Sequence, residues 1–304
     1  MSDTAASLRL RLYSTHELQS VVRAMKSLAA SSIGQYRASV RALDDYCRNL
    51  ELGLGACLRQ RVLAVTASEH EQPAAADRGE VGAVVFGSDQ GLVGQFNDIV
   101  ADYAAKALGP AHAGARVWAV GDRVRERLED HGLTPGKVYE VPGSAPAIAQ
   151  LVGQILVETE TRRGGAHVTE LHLFYNRSSS GASFAPVGER ILPLDEAWRQ
   201  KRIASRWPTK QLPEIIGHGT ETLRALVQGY VFVSLFRASA ESLASENASR
   251  LAAMERAEKN IKDSLETLGA KFHRVRQGSI DEELFDVVAG FEALRPSSPK
   301  ASGG

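Results

Sequence analysis

The sequence predicts an α/β protein whose long N- and C-terminal helices form an antiparallel coiled coil, with a Rossmann-like α/β domain between them. Three observations lead there. Apolar and small residues recur at alternating steps of three and four along both ends. Neither of the segments 8–54 and 219–294 carries a proline. The middle instead alternates short β-branched runs with helical stretches, the pattern of a mostly parallel sheet with crossover helices.

The first helix should run from about Leu8 to Leu54. Its seam reads Leu18, Val22, Met25, Ala29, Ser32, Tyr36, Val40, Leu43, Cys47, Leu50 and Leu54, with one phase slip near Tyr36. Its outer faces carry Arg9, Arg11, Arg23, Lys26, Arg37, Arg41 and Arg48 against Glu17, Asp44 and Asp45. That face is either a solvated surface or a dock for acidic partners. Cys47 and Cys57 cannot bridge each other on one helix, because ten residues separate them by about 15 Å of rise and a disulfide needs about 7 Å.

In the middle, strands are expected at 62–66, 81–86, 115–121, 137–141 and 168–175, and helices at 93–108, 122–131 and 145–161. A strand at 184–192 should pair antiparallel at the sheet edge. Residues 69–78 read as an Ala-rich polar loop.

The last helix should run from Gly219 to Leu294, on the order of 110 Å at 1.5 Å per residue, which is wider than a single-domain core. Its opening turns, with Leu223, Leu226, Val227, Tyr230, Val231, Phe232, Val233, Leu235 and Phe236, are apolar all round and should be buried against the middle domain. Met254, Ile261, Leu265, Leu268, Phe272 and Val275 then form a seam, which Leu284, Val287, Phe291 and Leu294 resume after Gly278. The division is therefore a helix over 1–58, an α/β domain over 59–208, a helix over 209–295 and a disordered tail over 296–304.

Composition narrows the function. Thirty-six basic residues balance 36 acidic ones, which argues against a nucleic-acid partner. No stretch approaches the roughly 20 apolar residues of a membrane span, and the N-terminus lacks a signal-peptide pattern, so a cytoplasmic chain is expected. The eight histidines include no pair at metal-ligand helical spacing, and no catalytic triad or paired carboxylates stand out. Asp281, Glu282, Glu283 and Asp286 read as a solvated acidic face. No catalytic residue, cofactor or metal is therefore expected.

The glycine-rich loop at 87–97 follows a strand and opens a helix, where a dinucleotide loop would lie. Its spacing is neither G-x-G-x-x-G nor a Walker A loop, so tight turns with capping by Ser88, Asp89 and Asn97 are the simpler reading. On these grounds the chain could be a stalk, a nucleotide-dependent α/β protein that dimerises through its ends, or a static coiled-coil adaptor.

Specific residues go further. The run ESLASENASRLAAM at 241–254 resembles the C-terminal signature of the gamma subunit of rotary F-type ATP synthases. So do Arg276, Gln277, Ile280, Glu283 and Leu284 with 287–290 behind them. VRAMKSLAAS at 22–31 resembles the family's first-helix motif, and GSDQGLVGQFN at 87–97 its middle-domain motif.

The resemblance implies a non-catalytic central-stalk rotor, coupling ion translocation to ATP synthesis or hydrolysis. Its coiled coil would sit within the hexamer of alpha and beta subunits. Its α/β domain would rest beside epsilon on the ring of c subunits, and the chain would meet the membrane only through the complex, peripherally at the cytoplasmic face of a bacterial cell membrane. Met25, Arg250 and Gln277 are the hexamer-contact residues it implies. Asp281 stands where the family usually has threonine, and His273 replaces a common asparagine. Residues 14–22 and 32–37 lack the family's usual basic stretch, a departure that looks like the gamma subunit of the alternate, N-type F-ATPases.

Overall fold

In a computed structural model of the chain, residues 4–67, 79–112, 114–160, 168–179, 184–211, 213–215 and 219–293 are described. The expected polar loop at 69–78 and the tail at 296–304 lie outside them. The elements in order are α1 (Ala5–Ala67), β1 (Glu80–Phe86), α2 (Phe96–Leu108), β2 (Arg116–Val120), α3 (Asp122–Asp130), β3 (Lys137–Tyr139), α4 (Ala145–Glu160), β4 (Val168–Ser178), β5 (Phe184–Leu192), α5 (Glu196–Ala204) and α6 (Gly219–Ala293). Two compact units divide the chain: a terminal unit of Met1–Lys26 with Met254–Gly304, and a central unit of Ser27–Ala253.

The central unit is built on one five-stranded sheet of order β3-β2-β1-β4-β5, parallel except for β5, which runs antiparallel to β4 at the edge. This is the Rossmann-like arrangement expected from strand–helix alternation. Ala83, Val85, Ala119 and Phe174 face α2 and α3 in one core layer. Val84, Phe86, Trp118, Leu173 and Tyr175 face the other way, into a layer shared with α4, Tyr36, Val231, Leu235 and Leu243. The apolar opening of α6 is thus part of the domain core, and each fully buried Leu- or Phe-sized side chain contributes about 1.5–3 kcal/mol.

Within this unit the two terminal helices run antiparallel. Arg237 Nη2 donates to Asp44 Oδ1 at 2.8 Å, Leu50 lies against Gly229, and Leu226 lies against Gly53. Contacts on α6 therefore move back as those on α1 move forward. The glycines matter here: a Cβ at Gly229 would stand 3.0 Å from the Leu50 side chain, so small residues set the close approach of the helices.

Two expectations about this unit change. Residues 62–66, expected as a strand, continue α1 to Ala67. Extending a helix already nucleated costs a β-branched residue only a few tenths of a kcal/mol, less than starting a new element. The short helix α5 was not anticipated; Asp195 caps it, its carboxylate accepting from Trp198 N at 2.5 Å.

In the terminal unit, α1 and α6 are again antiparallel. Arg23 Nε donates to Glu258 Oε1 at 2.9 Å and Lys26 Nζ to Oε2 at 3.1 Å. These two hydrogen bonds hold the Glu258 carboxyl below the usual carboxylate range. Its contribution to stability is therefore present above the ordinary glutamate pKa and lost as pH falls through the folded value. Part of the basic face is thus satisfied by α6 itself.

The seam departs from the sequence reading at one end. Leu8 and Val22 are buried, with Leu12, Thr15 and Gln19 half-buried between them, while Leu18 is 52% exposed. The helical phase places polar Thr15 and Gln19 inward, so apolarity alone picked the neighbouring residue. On α6 the phase agrees: Met254 and Ile261 are buried, and Leu265, Leu268, Phe272 and Val275 are half-buried.

Candidate functional site

The terminal unit presents an exposed apolar strip. Carried along its antiparallel register, the first turn of α1 at Ala5 falls across from the turn of α6 that holds Val275. Past that point no described helix of its own chain lies beside α6. The seam continues nevertheless, and Ile280, Leu284, Phe285, Val287, Val288 and Phe291 are 48–71% exposed. A run of large apolar side chains on one stretch of helix marks a surface meant for a partner. Gln277 opens this stretch and is exposed; Asp281, Glu282, Glu283 and Asp286 are interspersed along it, also exposed. Met25 is half-buried on α1 beside Lys26. Gln277 lies roughly 30 Å along α6 from Glu258, the partner of Lys26, so Met25 and Gln277 are separate points rather than one pocket.

The central unit holds a buried polar joint around Arg250. Along α6 from Ala238 to Ser249, small and polar residues are buried nearly without interruption, among them Ser239, Ala240, Ser242, Ala244, Ser245 and Asn247. Short side chains let the helix backbone lie close to the sheet and its loops. Ser249 Oγ donates to the Val93 carbonyl at 2.6 Å, and Ser245 Oγ meets Ser178 Oγ at 3.1 Å. Asn247 Nδ2 turns back to the Leu243 carbonyl at 2.8 Å. Much of the signature run at 241–254 therefore packs α6 onto the sheet domain.

Arg250 takes part in this packing. Its Nη2 donates to Glu246 Oε1 at 2.5 Å, and the two side chains are 13% and 5% exposed. Glu246 Oε2 has no hydrogen-bond partner among the described residues. Burial pushes the Glu246 carboxyl up, the Arg250 guanidinium pulls it down, and Asp89 adds to the rise. Burial also raises the Tyr36 phenol, with Glu246 adding to it; Tyr36 Oη donates to the Pro142 carbonyl at 3.2 Å. A cleft of about 230 Å³ lined by Ser32, Tyr36, Asp89, Gln90, Glu246 and Arg250 opens here.

The glycine-rich loop is tied into the same joint. Ser88 N donates to Asn97 Oδ1 at 2.9 Å, and Asn97 Nδ2 donates to Ser88 Oγ at 2.8 Å. Asp89 accepts from Asp122 N at the start of α3 at 3.0 Å and from Val141 N at 2.8 Å. Its carboxylate thus caps α3 and pins the strand exit beyond β3, more distant partners than the local capping expected at the helix the loop opens, where Gln95 makes no side-chain cap. Gly121, at φ +111°, would place a Cβ 2.7 Å from the Ser88 backbone. Gly121→Ala is therefore expected to lower stability by about 1–3 kcal/mol through strain and overpacking, read as a fall in the urea midpoint.

Met25 and Gln277 thus stand on the terminal unit and Arg250 within the central one, where sequence reasoning did not foresee its buried partner Glu246. The signal was available: Glu246 and Arg250 are four apart, the spacing at which helical side chains meet.

Paired terminal helices, an exposed apolar strip and a polar joint that locks helix to sheet define a stalk-like scaffold. Comparison with known proteins makes that particular. Residues 4–294 match the family profile of ATP synthase. The ATP synthase gamma chain of Moorella thermoacetica is 29% identical over 290 residues, covering 95% of this chain and 98% of its own. That of Desulfitobacterium hafniense is 26% identical over 291 residues, covering 96% and 99%. A chain of the rotor of the Euglena gracilis mitochondrial ATP synthase shares the fold at TM-score 0.62 and 15% identity, over 91% of this chain and 98% of that one. The chain belongs to the ATP synthase gamma chain family. It is a central-stalk subunit of a rotary F-type ATP synthase and a non-catalytic chain of that complex.

Proposed function

We propose that the chain turns inside a hexamer of alpha and beta subunits, with its sheet domain seated beside epsilon on a ring of c subunits. The observation that carries this is the unpaired apolar end of α6, which needs a surrounding surface to bury it. No described helix is long and apolar enough to cross a membrane, so the proposed attachment to the cytoplasmic face of a bacterial membrane is peripheral, through the c ring. In this reading the segments 1–58 and 209–295 form the shaft and 59–208 the seat. Met25 and Gln277 meet the hexamer directly. Arg250 contributes at the 13% of its side chain left open and by fixing α6 through Glu246.

A cysteine at Gln277, disulfide-linked to a beta subunit in the assembled complex, should stop ATP turnover and release it on reduction. Turnover that continues through the crosslink would favour a static adaptor. Met25→Lys adds a charge at a proposed contact. It should cut ATP-driven ion transport by about tenfold, equivalent to about 1.4 kcal/mol, while the melting temperature of the chain changes little. Unaltered transport would remove Met25 from the contact.

The subtype proposed is the N-type F-ATPase, on the strength of residues 14–22 and 32–37. Sodium-stimulated ATP hydrolysis by the assembled complex is the expected result. Sodium-independent hydrolysis would count against the subtype and leave the rotor reading intact.

A further inference from the structure

Far along the chain from the stalk surfaces, the sheet domain gathers three side chains with metal-ligand chemistry. Glu170 and His172 stand two apart on β4, so they project from the same face of the sheet. His112 ends a single 3-10 turn, Pro110–His112, that follows α2. One ligand atom from each of the three lies within 4.8 Å of the other two, and all three residues are half-buried.

We propose that His112, Glu170 and His172 form a binding site for a borderline divalent transition metal, Zn2+ foremost. Two imidazoles and one carboxylate are a donor set that suits zinc, and three protein ligands leave a fourth tetrahedral position for water. His112 is already oriented for the task. Its Nδ1 lies 2.8 Å from the Leu108 carbonyl, which fixes the proton there and leaves Nε2 with the free lone pair. A ligating histidine is characteristically held by such a bond from its other nitrogen.

His172 Nε2 lies 2.8 Å from Glu170 Oε1. Ligands on one tetrahedral zinc, at about 2.0–2.1 Å from it, are about 3.3 Å apart. Insertion of the ion therefore needs this pair to open by only about 0.5 Å, with the imidazole proton moving from Nε2 to Nδ1. The His172 ring is kept in place by stacking on Phe174, centroids 6.1 Å apart and planes 6° apart. Arg190 is the cross-strand neighbour of His172, and its charge opposes a cation; Asp195, at 3.9 Å from its guanidinium, offsets it. A bound ion would tie the turn after α2 to β4.

The test is zinc titration of the full-length chain by calorimetry at pH 7.5, beside His112→Gln, Glu170→Gln and His172→Gln. One zinc per chain at micromolar affinity or tighter is expected, weakened at least tenfold by each substitution, in line with the loss of one ligand of a chelate. Cobalt in place of zinc should give the visible absorption of a four-coordinate site, absent from the variants. Zinc uptake weaker than millimolar in the unaltered chain would overturn the proposal. So would uptake unchanged in His112→Gln, which would place the ion on other histidines. His112 sits on a 3-10 turn outside the sheet, so that variant should change the metal-free melting temperature less than substitutions on β4, and it carries the test if those impair folding.

Discussion

Arg250→Met should lower the stability of the chain by about 3–5 kcal/mol at pH 7.5, the cost of breaking a buried ion pair and leaving its partner alone. The partner is Glu246, 5% exposed, with one carboxylate oxygen bonded to Arg250 and the other to nothing among the described residues. Burial already makes the folded state hold the Glu246 proton more tightly than the unfolded chain does. Stability from such a group is full below the ordinary glutamate pKa and is lost as pH rises through the folded value. Removing the guanidinium removes the one pull in the opposite direction, so the carboxyl rises further. The deficit of Arg250→Met should thus shrink as pH is lowered from 7.5 toward 5, where Glu246 takes up a proton. Urea unfolding at both pH values measures this. Glu246→Leu combined with Arg250→Met, which removes both charges, should recover much of the loss. A single variant equally destabilised at both pH values would show that Arg250 acts by packing alone.

Phe285→Asp should leave folding untouched and weaken assembly. Phe285 is 71% exposed at the exposed apolar end of α6, so the isolated chain loses little buried area when it changes. If the alpha and beta subunits cover this strip, as proposed, an aromatic anchor is replaced by a desolvated charge. Hot-spot losses of about 2 kcal/mol or more follow, roughly a 30-fold fall in affinity. Titration of the chain against the hexamer, with a melting curve as control, separates the two effects. Equal affinity in the variant would mean that the partner leaves this face open.

Most of the architecture could be read from periodicity. β5 and α6 begin where the sequence suggested, because a run of alternating residues and a proline-free heptad are strong local signals. Signals failed where local preference and context disagreed. Residues 62–66 favour a strand in isolation but extend a helix already formed, and Thr15 and Gln19 lie on a seam that apolarity alone would not assign them. The site was legible in a different way. Resemblance pointed to Arg250, yet its surroundings are set by the fold, which brings the loop at Asp89 to it and buries it with Glu246. His112, Glu170 and His172 carry no spacing signal at all, since two ligands come from one strand and the third from a turn after α2. Sequence patterns show partners within one element well and partners across elements poorly.

The antiparallel register that ends beside Val275 also has a mechanical meaning. Up to that turn, two helices joined along a seam share any sideways load, and bending one requires shearing its contacts with the other. Beyond it a single helix carries the load alone, with solvent-facing side chains and one set of backbone hydrogen bonds resisting. Stiffness must therefore drop at that turn. Deflection under a lateral push concentrates in the stretch from Gln277 to Phe291, which can yield to an uneven collar while the paired stretch behind it keeps its line.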